Sequence, residues 1–306
     1  MASDDLIDWS KLTWAEPPVM GRQDLRDVKK AIDGGFRDWS RENGEWIESI
    51  FDPLKFFLVK FEQLLLATPW PLLLIIFAGL AYLGSRSWKM AVGTVVAFLI
   101  IGWLDMWEDT MATIAMVSIA TFLCILIGIP IGIWMSRSDR LESMVVPVLD
   151  IMQTIPSFVY LIPVVMLLGI GKAPALLAVL VYALPPIVRL TNLGIRLVDK
   201  ETLEAADAFG ANRRQRLWGV QIPLSLPNIF AGVNQTIMMA LAIVVIAAMI
   251  GAGGLGTPVL RAVSNQYLAL GLFNGLAIVV IAVIFDRVSQ AYGKRLQKHR
   301  EGGHGV

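Results

Sequence analysis

The sequence predicts an all-α polytopic membrane protein, and three observations lead to that fold class. First, 56% of the 306 residues are hydrophobic and only 17% are charged, which is more apolar than a soluble domain usually is. Second, the mean hydropathy is high, at +0.64. Third, the apolar residues gather in runs of about 20, the number that a helix needs to cross a hydrocarbon core of about 30 Å.

Seven apolar runs are candidate transmembrane helices, and the second of them is the shortest. They comprise residues 64–83, 87–104, 111–135, 143–169, 174–193, 226–250 and 268–285. We divide the chain accordingly into an N-terminal tail (1–63), two accessory helices (64–104), a main transmembrane domain (105–290) and a C-terminal tail (291–306).

Positively charged residues in short loops indicate which side of the membrane is cytoplasmic. They follow the third, fifth and seventh runs: Arg137, Arg140, Arg196, Lys200, Arg213, Arg214, Arg216, Arg287, Lys294, Arg295, Lys298 and Arg300. The alternate loops carry only Lys172 and Arg261 as positive residues. We therefore expect the N-terminus outside and the C-terminus in the cytoplasm.

The N-terminal tail contains a helical pattern of apolar residues. From Phe36 to Phe61 they recur every three or four positions, interrupted at Asn43. This spacing predicts an amphipathic helix at the membrane interface, bent near Pro53. Packing on the membrane surface and an arm that contacts another subunit both fit the pattern. The tail has no apolar segment typical of a cleavable signal peptide, so we expect it to stay on the mature protein.

Several classes of function lack their residues in this sequence. Cys124 is the single cysteine and lies in an apolar run, while His299 and His304 lie in the C-terminal tail. The familiar hydrolase, metal and phosphate-loop motifs do not occur. A net charge of +1 gives no indication of nucleic-acid binding. We therefore expect no catalytic site, no metal site and no cofactor bound by this chain.

A charged segment between the fifth and sixth runs carries the most specific pattern. Glu204, Ala205 and Ala206 are followed by Gly210 and, after nine further residues, by V-Q-I-P ending at Pro223. This pattern resembles the EAA signature of the permease subunits of ABC importers, with Val and Ile in place of the usual Ile and Leu. Residues 64–286 as a whole resemble the ProW-type permeases of glycine betaine and proline betaine uptake, through the blocks LDIMQTIPSFVYLIPVVMLLGIG, YALPPIVRLTNLGI, AGVNQT and IGAGGLG.

The resemblance implies a type I ABC importer permease core, MetI-like, in a bacterial inner membrane. It also implies the partners: a second copy of the chain in a homodimer, two ATPase subunits that bind ATP and Mg²⁺, and an extracytoplasmic substrate-binding protein. The short helix in the loop of residues 197–225 would then contact the ATPase, with Glu204 as its polar anchor and Arg213, Arg214 and Arg216 beside the contact.

The residue types of this loop suit such a contact. Small Ala205 and Ala206 allow close packing against a partner, and Gly210 allows the chain to reverse. Pro223 and Pro227 are expected to keep the next segment from continuing the helix. The alternative is a basic loop lying on anionic lipid, which accounts for the arginines but not for the EAA pattern.

The fourth run is expected to lie beside the translocation pathway. It contains Pro147, Pro156 and Pro163, and such helix breaks are tolerated next to protein or a water-filled cavity. Candidate lining residues on the fourth and sixth runs are Gln153, Thr154, Ser157, Phe158, Tyr160, Asn234, Gln235 and Thr236. Interhelical packing is an open alternative for each of them.

Two charges, Asp150 and Arg189, fall inside predicted spans. Asp150 lies seven residues after the cytoplasmic start of its span at Ser143, and Arg189 lies seven residues before the cytoplasmic Arg196, so each is about 10 Å deep at 1.5 Å per residue. Since charges within a membrane usually pair, we expect contact between them, with independent snorkelling as the alternative.

The segment IGAGGLG, with Gly251, Gly253, Gly254 and Gly256, predicts a tight outer loop that needs positive φ or close backbone approach. By resemblance this loop lies near the docked binding protein. A plain hairpin between two spans is the alternative.

By resemblance, the cargo is a small quaternary amine such as glycine betaine, proline betaine or choline, moved by ATP-driven alternating access. Another methylated amine, trimethylamine N-oxide or carnitine, is the first alternative. The second is an ion-coupled secondary transporter, which predicts inverted repeats and acidic residues at the midplane. The sequence has no recognisable repeat and Asp150 is its one candidate acid.

Overall fold

The computed structural model describes residues 20–301, with side chains for residues 20–293. Residues 1–19 and 302–306 of the two predicted tails lie outside this range, and so do the side chains of Lys294, Arg295, Lys298, His299 and Arg300. Within the described range the chain is helical and contains no β-strand. Its elements are α1 (Arg22–Ala67), α2 (Trp70–Ser85), α3 (Trp88–Trp103), α4 (Trp107–Met135), α5 (Asp139–Thr154), α6 (Ser157–Leu168), α7 (Lys172–Arg196), α8 (Lys200–Ala208), α9 (Arg213–Arg216), a π-helical turn (Leu217–Gln221), α10 (Ile222–Ala248), α11 (Gly256–Asn265) and α12 (Leu268–Glu301).

The helices confirm the predicted membrane-spanning architecture. Among the described residues, α4, α7, the continuous stretch Arg213–Ala248 and α12 are each long and apolar enough to cross a membrane. Two bent pairs, α1 with α2 and α5 with α6, raise this number to as many as six. Helix α3 is apolar but has 16 residues, about 24 Å of helix, which is shorter than the hydrocarbon core.

Two predicted spans differ from straight helices. Residues 143–169 are divided between α5 and α6, which meet at 95°. Pro156 causes the break, because it has no N–H to donate and disfavours helical geometry at Ile155, where φ is −62° and ψ is 127°. Pro147 and Pro163, by contrast, lie inside their helices. Of the three helix breaks expected at the prolines of this run, the structure therefore shows only the one at Pro156.

The first predicted span is also divided between two helices. Residues 64–67 belong to α1, and the chain turns by 110° at Thr68 and Pro69 before α2 begins. Helix α1 continues through Pro53, where we expected a bend, so the sharp change of direction lies 15 residues further along.

The core of the protein is the packing of α7 between α4 and α10. Ile187 and Val188 of α7 are fully buried there. Glycines bring the backbones together: a Cβ on Gly132 of α4 would lie 2.6 Å from Thr191 Cβ, and one on Gly232 of α10 would lie 3.2 Å from Ile187 Cα. Close packing through small residues is the usual way in which helices associate within a membrane.

One edge of α1 packs against the rest of the same chain. Ser40 Oγ donates to the Met166 carbonyl at 2.8 Å, and Lys172 Nζ forms an ion pair of 2.6 Å with Glu62. The predicted apolar face is thus only partly covered, since Trp46 remains 68% exposed. Both interpretations of this face, membrane surface or subunit contact, stay predictions.

Candidate functional site

The segment between α7 and α10 forms a short protruding helix with well-defined ends. Asp199 caps α8 by accepting a hydrogen bond from the Glu201 amide at 3.3 Å. At the other end, Gly210 takes φ = +79°, a conformation that glycine adopts without strain. Asn212 then starts α9 with a capping box, in which its side chain and that of Gln215 each accept from the other's amide at 2.9 Å. The loop is therefore ordered by its own local hydrogen bonds.

Helix α8 presents its whole surface outward. None of its nine residues is buried; Glu204 and Ala205 are exposed, and Ala206 is partly exposed. Phe209, which follows α8, is 94% exposed. A fully exposed aromatic ring beside an uncovered helix suits a protein contact surface, where aromatic residues contribute much of the binding energy.

A cluster of arginines lies at the base of α8. Arg216 Nη1 forms an ion pair of 2.6 Å with Asp207, which ties α9 to α8. Arg213 and Arg214 are exposed and line a cavity of about 710 Å³ together with Arg137, from the loop between α4 and α5. The structure thus brings Arg213 and Arg214 next to the predicted coupling helix, and Arg137 joins them.

Pro223 does not have the role that we expected from the sequence. The reversal after α8 is made at Gly210, whereas Pro223 and Pro227 lie inside the helical stretch Arg213–Ala248. The π-helical turn directly before Pro223 accommodates the proline ring, because its wider spacing removes the need for the missing N–H. As a result, α9, the π-helical turn and α10 form one continuous helical segment, which runs from the C-terminal end of α8 into the core.

The predicted charge pair is present. Arg189 Nη2 of α7 donates to Asp150 Oδ1 of α5, with the two side chains 36% and 54% exposed. The contact joins the helix before the 95° bend to the central helix of the bundle.

Sequence reasoning missed a larger network around Arg196, which lies about two turns further along α7 than Arg189. Arg196 contacts Asp139 at 2.6 Å and Glu142 at 3.1 Å, and Glu142 accepts from Asn192 at 2.7 Å. Arg196 Nη2 also donates to the Met135 carbonyl at 3.3 Å. The network fastens the ends of α4 and α7 to the start of α5. The one available signal was the acidic first turn of α5, which we did not relate to Arg196.

The candidate pathway residues are only partly brought together. One contact joins the two groups of candidates: Gln153 Nε2 on α5 lies 4.0 Å from the sulfur of Met239 on α10. Around the bend, Thr154 and Phe158 are exposed, while Ser157 and Tyr160 are partly buried.

On α10, the three candidates face different surroundings. Asn234 donates to Asp286 of α12 at 2.8 Å and accepts from Ser289, so it serves interhelical packing. Gln235 is exposed, and Thr236 is fully buried, without a hydrogen-bond partner among the described residues. The packing alternative is therefore the better account of Asn234.

The glycine loop between α10 and α11 has the geometry that its composition predicts. Gly251, Gly253 and Gly254 have φ values of +94°, +77° and +69°. Gly256 has no such φ, but a Cβ there would lie 2.6 Å from the Val244 carbonyl oxygen. The loop is held to neighbouring elements, since the Leu255 amide donates to Thr113 Oγ1 and the Gly171 amide to the Ile250 carbonyl oxygen, at 2.9 and 2.8 Å.

Comparison with known proteins identifies the architecture. Residues 125–298 match the family of binding-protein-dependent transport system inner membrane components. The chain is 45% identical over 264 residues to the glycine betaine/proline betaine transport system permease protein ProW of Escherichia coli (strain K12), an alignment that covers 84% of this chain and 74% of the relative. It is also 45% identical over 232 residues to the glycine betaine/carnitine transport permease protein GbuB of Listeria monocytogenes serotype 1/2a (strain 10403S), covering 75% and 82%.

A solved structure supports the same conclusion for the fold. An inward-facing form of the MetNI methionine ABC transporter aligns with a TM-score of 0.55 at 21% identity, over 60% of this chain and 93% of that chain. With its protruding α8 and its α4, α7 and α10 core, the chain therefore belongs to the family of binding-protein-dependent transport system inner membrane components.

Proposed function

We propose that this chain is the non-catalytic permease subunit of an ATP-driven ABC importer for a small quaternary-amine solute. A homodimer of the chain works with a separate ATPase dimer, which binds ATP and Mg²⁺, and with an extracytoplasmic binding protein. The observation that carries this proposal is α8: a capped helix without a buried residue, ending at a phenylalanine that is 94% exposed. Such a surface fits a groove on a partner.

A continuous series of contacts connects α8 to the helices within the membrane. The ion pair between Arg216 and Asp207 connects α8 to α9, which continues through the π-helical turn into α10. Helix α10 packs along α7, and α7 holds α5 through the contacts of Arg189 and Arg196. A displacement of α8 by the ATPase therefore reaches the bent α5 and α6 pair, where we place the pathway.

The orientation follows from this assignment. Since the ATPase is cytoplasmic, α8 and the arginines at its base lie inside, in agreement with the positive charge of that loop. The glycine loop between α10 and α11 then lies outside, near the binding protein. The N-terminus is outside and the C-terminus inside, in a bacterial inner membrane.

The cargo is proposed from the relatives, whose names state glycine betaine, proline betaine and carnitine. These molecules share a quaternary methylated ammonium, which aromatic faces bind by cation–π attraction. Phe158 is 51% exposed beside the bend of α5 and α6, where such a face would meet the pathway. We place the main selectivity in the binding protein.

The experiment is uptake of radiolabelled glycine betaine into proteoliposomes that contain this chain, its ATPase and its binding protein. We expect uptake that requires ATP, with unlabelled carnitine, choline and trimethylamine N-oxide as competitors to rank the cargo. Phe209→Ala should reduce both uptake and co-purification of the ATPase by about 30-fold, the effect of losing an interface residue worth about 2 kcal/mol.

Phe122→Ala is the matched control, because Phe122 is also an exposed phenylalanine, 58% exposed, on the membrane-spanning α4. It should leave uptake and ATPase binding near the wild-type level. Uptake driven by an ion gradient in the absence of ATPase would instead establish a secondary transporter, and equal ATPase binding by both variants would remove α8 as the coupling surface.

A further inference from the structure

A cavity of about 460 Å³ lies between the accessory helices and the main bundle. It extends along α2 from Leu72 to Ala81, about 14 Å of helix, and is closed on the other side by Phe285 and neighbouring apolar residues of α12. It is open to the outside of the protein, since Ile76 on its rim is 43% exposed.

The lining of the cavity excludes water as a stable occupant. Apart from Thr68 and Ser118, the lining side chains are all apolar. The Thr68 hydroxyl already donates to the Leu64 carbonyl at 2.6 Å. A buried water needs two to four polar partners, and this surface does not provide them. Because α4 and α12, which line it, are long and apolar enough to cross a membrane, we expect lipid hydrocarbon at its opening.

Three cations lie close in the chain to the proposed cytoplasmic ends of the helices that line the cavity. Helix α2 ends at Ser85 with Arg86 as its C-cap, and a Cβ added to Gly84 would overlap Cγ1 of Val288, a lining residue of α12, so this end of α2 packs against α12. Arg287 directly precedes Val288 in the chain. Lys89 follows in the first turn of α3.

These three cations are available to a ligand. All are exposed, and none forms an ion pair within the described part of the chain. The nearest carboxylate in sequence, Asp286, accepts from Asn234 and Gln290 instead. An apolar groove, with unpaired cations next in the chain to the helix ends at one side of it, is complementary to an anionic phospholipid, and basic sites between membrane helices bind acidic headgroups.

We propose that this groove is a binding site for one anionic phospholipid, with an acyl chain in the cavity and the phosphate between Arg86, Lys89 and Arg287. The lipid fills the space between the accessory pair and α12, and so fixes α2 and α3 against the transmembrane core. The site is independent of α8 and of the cargo.

The test uses the full chain in nanodiscs of equal phosphatidylglycerol and phosphatidylcholine, followed by native mass spectrometry of the extracted protein. The wild type should retain one phosphatidylglycerol per chain. The R86Q/R287Q variant should lose it about tenfold or more, since each surface cation contributes a several-fold preference for anionic lipid. The R86K/R287K variant, which keeps both charges, should retain it.

A second pair of variants tests the cavity itself. I76W places a bulky ring at the rim of the cavity and should displace the lipid, whereas I75W, at an outward position that is 68% exposed, should not. K29Q/K30Q removes two exposed cations at the far end of α1 and serves as the charge control.

Any of the following results would overturn the proposal. The first is a wild type that retains no phosphatidylglycerol, as expected if a second copy of the chain covers the groove. The second is equal retention of both lipids, and the third is loss of lipid from R86K/R287K or unchanged retention in I76W. Thermal unfolding of every variant separates lipid loss from misfolding.

Discussion

Replacement of Gly210 tests whether the backbone conformation of the coupling loop matters for transport, because it changes that conformation without disturbing a side-chain contact. Gly210 has φ = +79°, and a Cβ added there would meet no atom within 4 Å. A substitution therefore causes no clash, and its cost is only that of holding an L-residue in the left-handed region. That cost is about 1–2 kcal/mol for most residues and smaller for Asn, whose side chain tolerates this conformation.

The expected effect on transport follows from this free-energy cost of the left-handed conformation. A cost of 1–2 kcal/mol lowers the population of the native turn by a factor of about 5–30. Helix α8 contains no buried residue, so the loss is local and the core keeps its stability. We expect Gly210→Val, at the upper end of the range, to reduce ATP-driven uptake by about tenfold or more, and Gly210→Asn to reduce it much less.

The assay is uptake in proteoliposomes alongside ATP hydrolysis by the assembled complex and the thermal unfolding of the permease. Gly219→Ala is the control, since Gly219 lies in the neighbouring π-helical turn, without positive φ and with open space for a Cβ. Equal uptake by Gly210→Val and Gly219→Ala would refute the reasoning, as would a Gly210→Val protein that unfolds globally.

Two further substitutions test the packing within the membrane. Gly132→Val should lower the thermal stability of the protein by about 1–3 kcal/mol, because its side chain would collide with Thr191, while Gly93→Val on α3 has open space; identical melting of the two variants would contradict the packing. Asp150→Asn and Arg189→Gln should each reduce uptake, and the exchange Asp150→Arg/Arg189→Asp should restore part of it. A double exchange that is no better than the single variants would show that the observed contact contributes nothing to transport.

Much of the fold could be predicted because hydrophobicity is a local property of the chain. Apolar runs located the spans, and the glycines of residues 251–256 predicted a loop with positive φ, as found at three positions. The depth of Asp150 and Arg189 could be calculated from the helical rise alone, which is why their contact could be predicted. The coupling helix was predicted from a resemblance, and its role in transport remains a prediction.

Sequence could not predict features that depend on how the helices rotate and pack. All three prolines of the fourth run lack an N–H, yet only Pro156 breaks the helix. Whether a proline bends a helix depends on which neighbours replace the missing contacts. Likewise, Asn234 was assigned to the pathway, but the rotation of α10 directs its amide to Asp286 of α12.

The amino-acid sequence by itself thus determined which segments enter the membrane, which segment protrudes as a charged helix and where glycine is required. Only the tertiary structure decided that α7 is the central helix, that Arg196 joins Asp139 and Glu142 across the ends of three helices, and that an apolar cavity separates the accessory pair from the core. The physical reason is that transfer into a membrane depends on composition summed along a segment. Side-chain partners and cavities depend on distances between segments that are far apart in the chain.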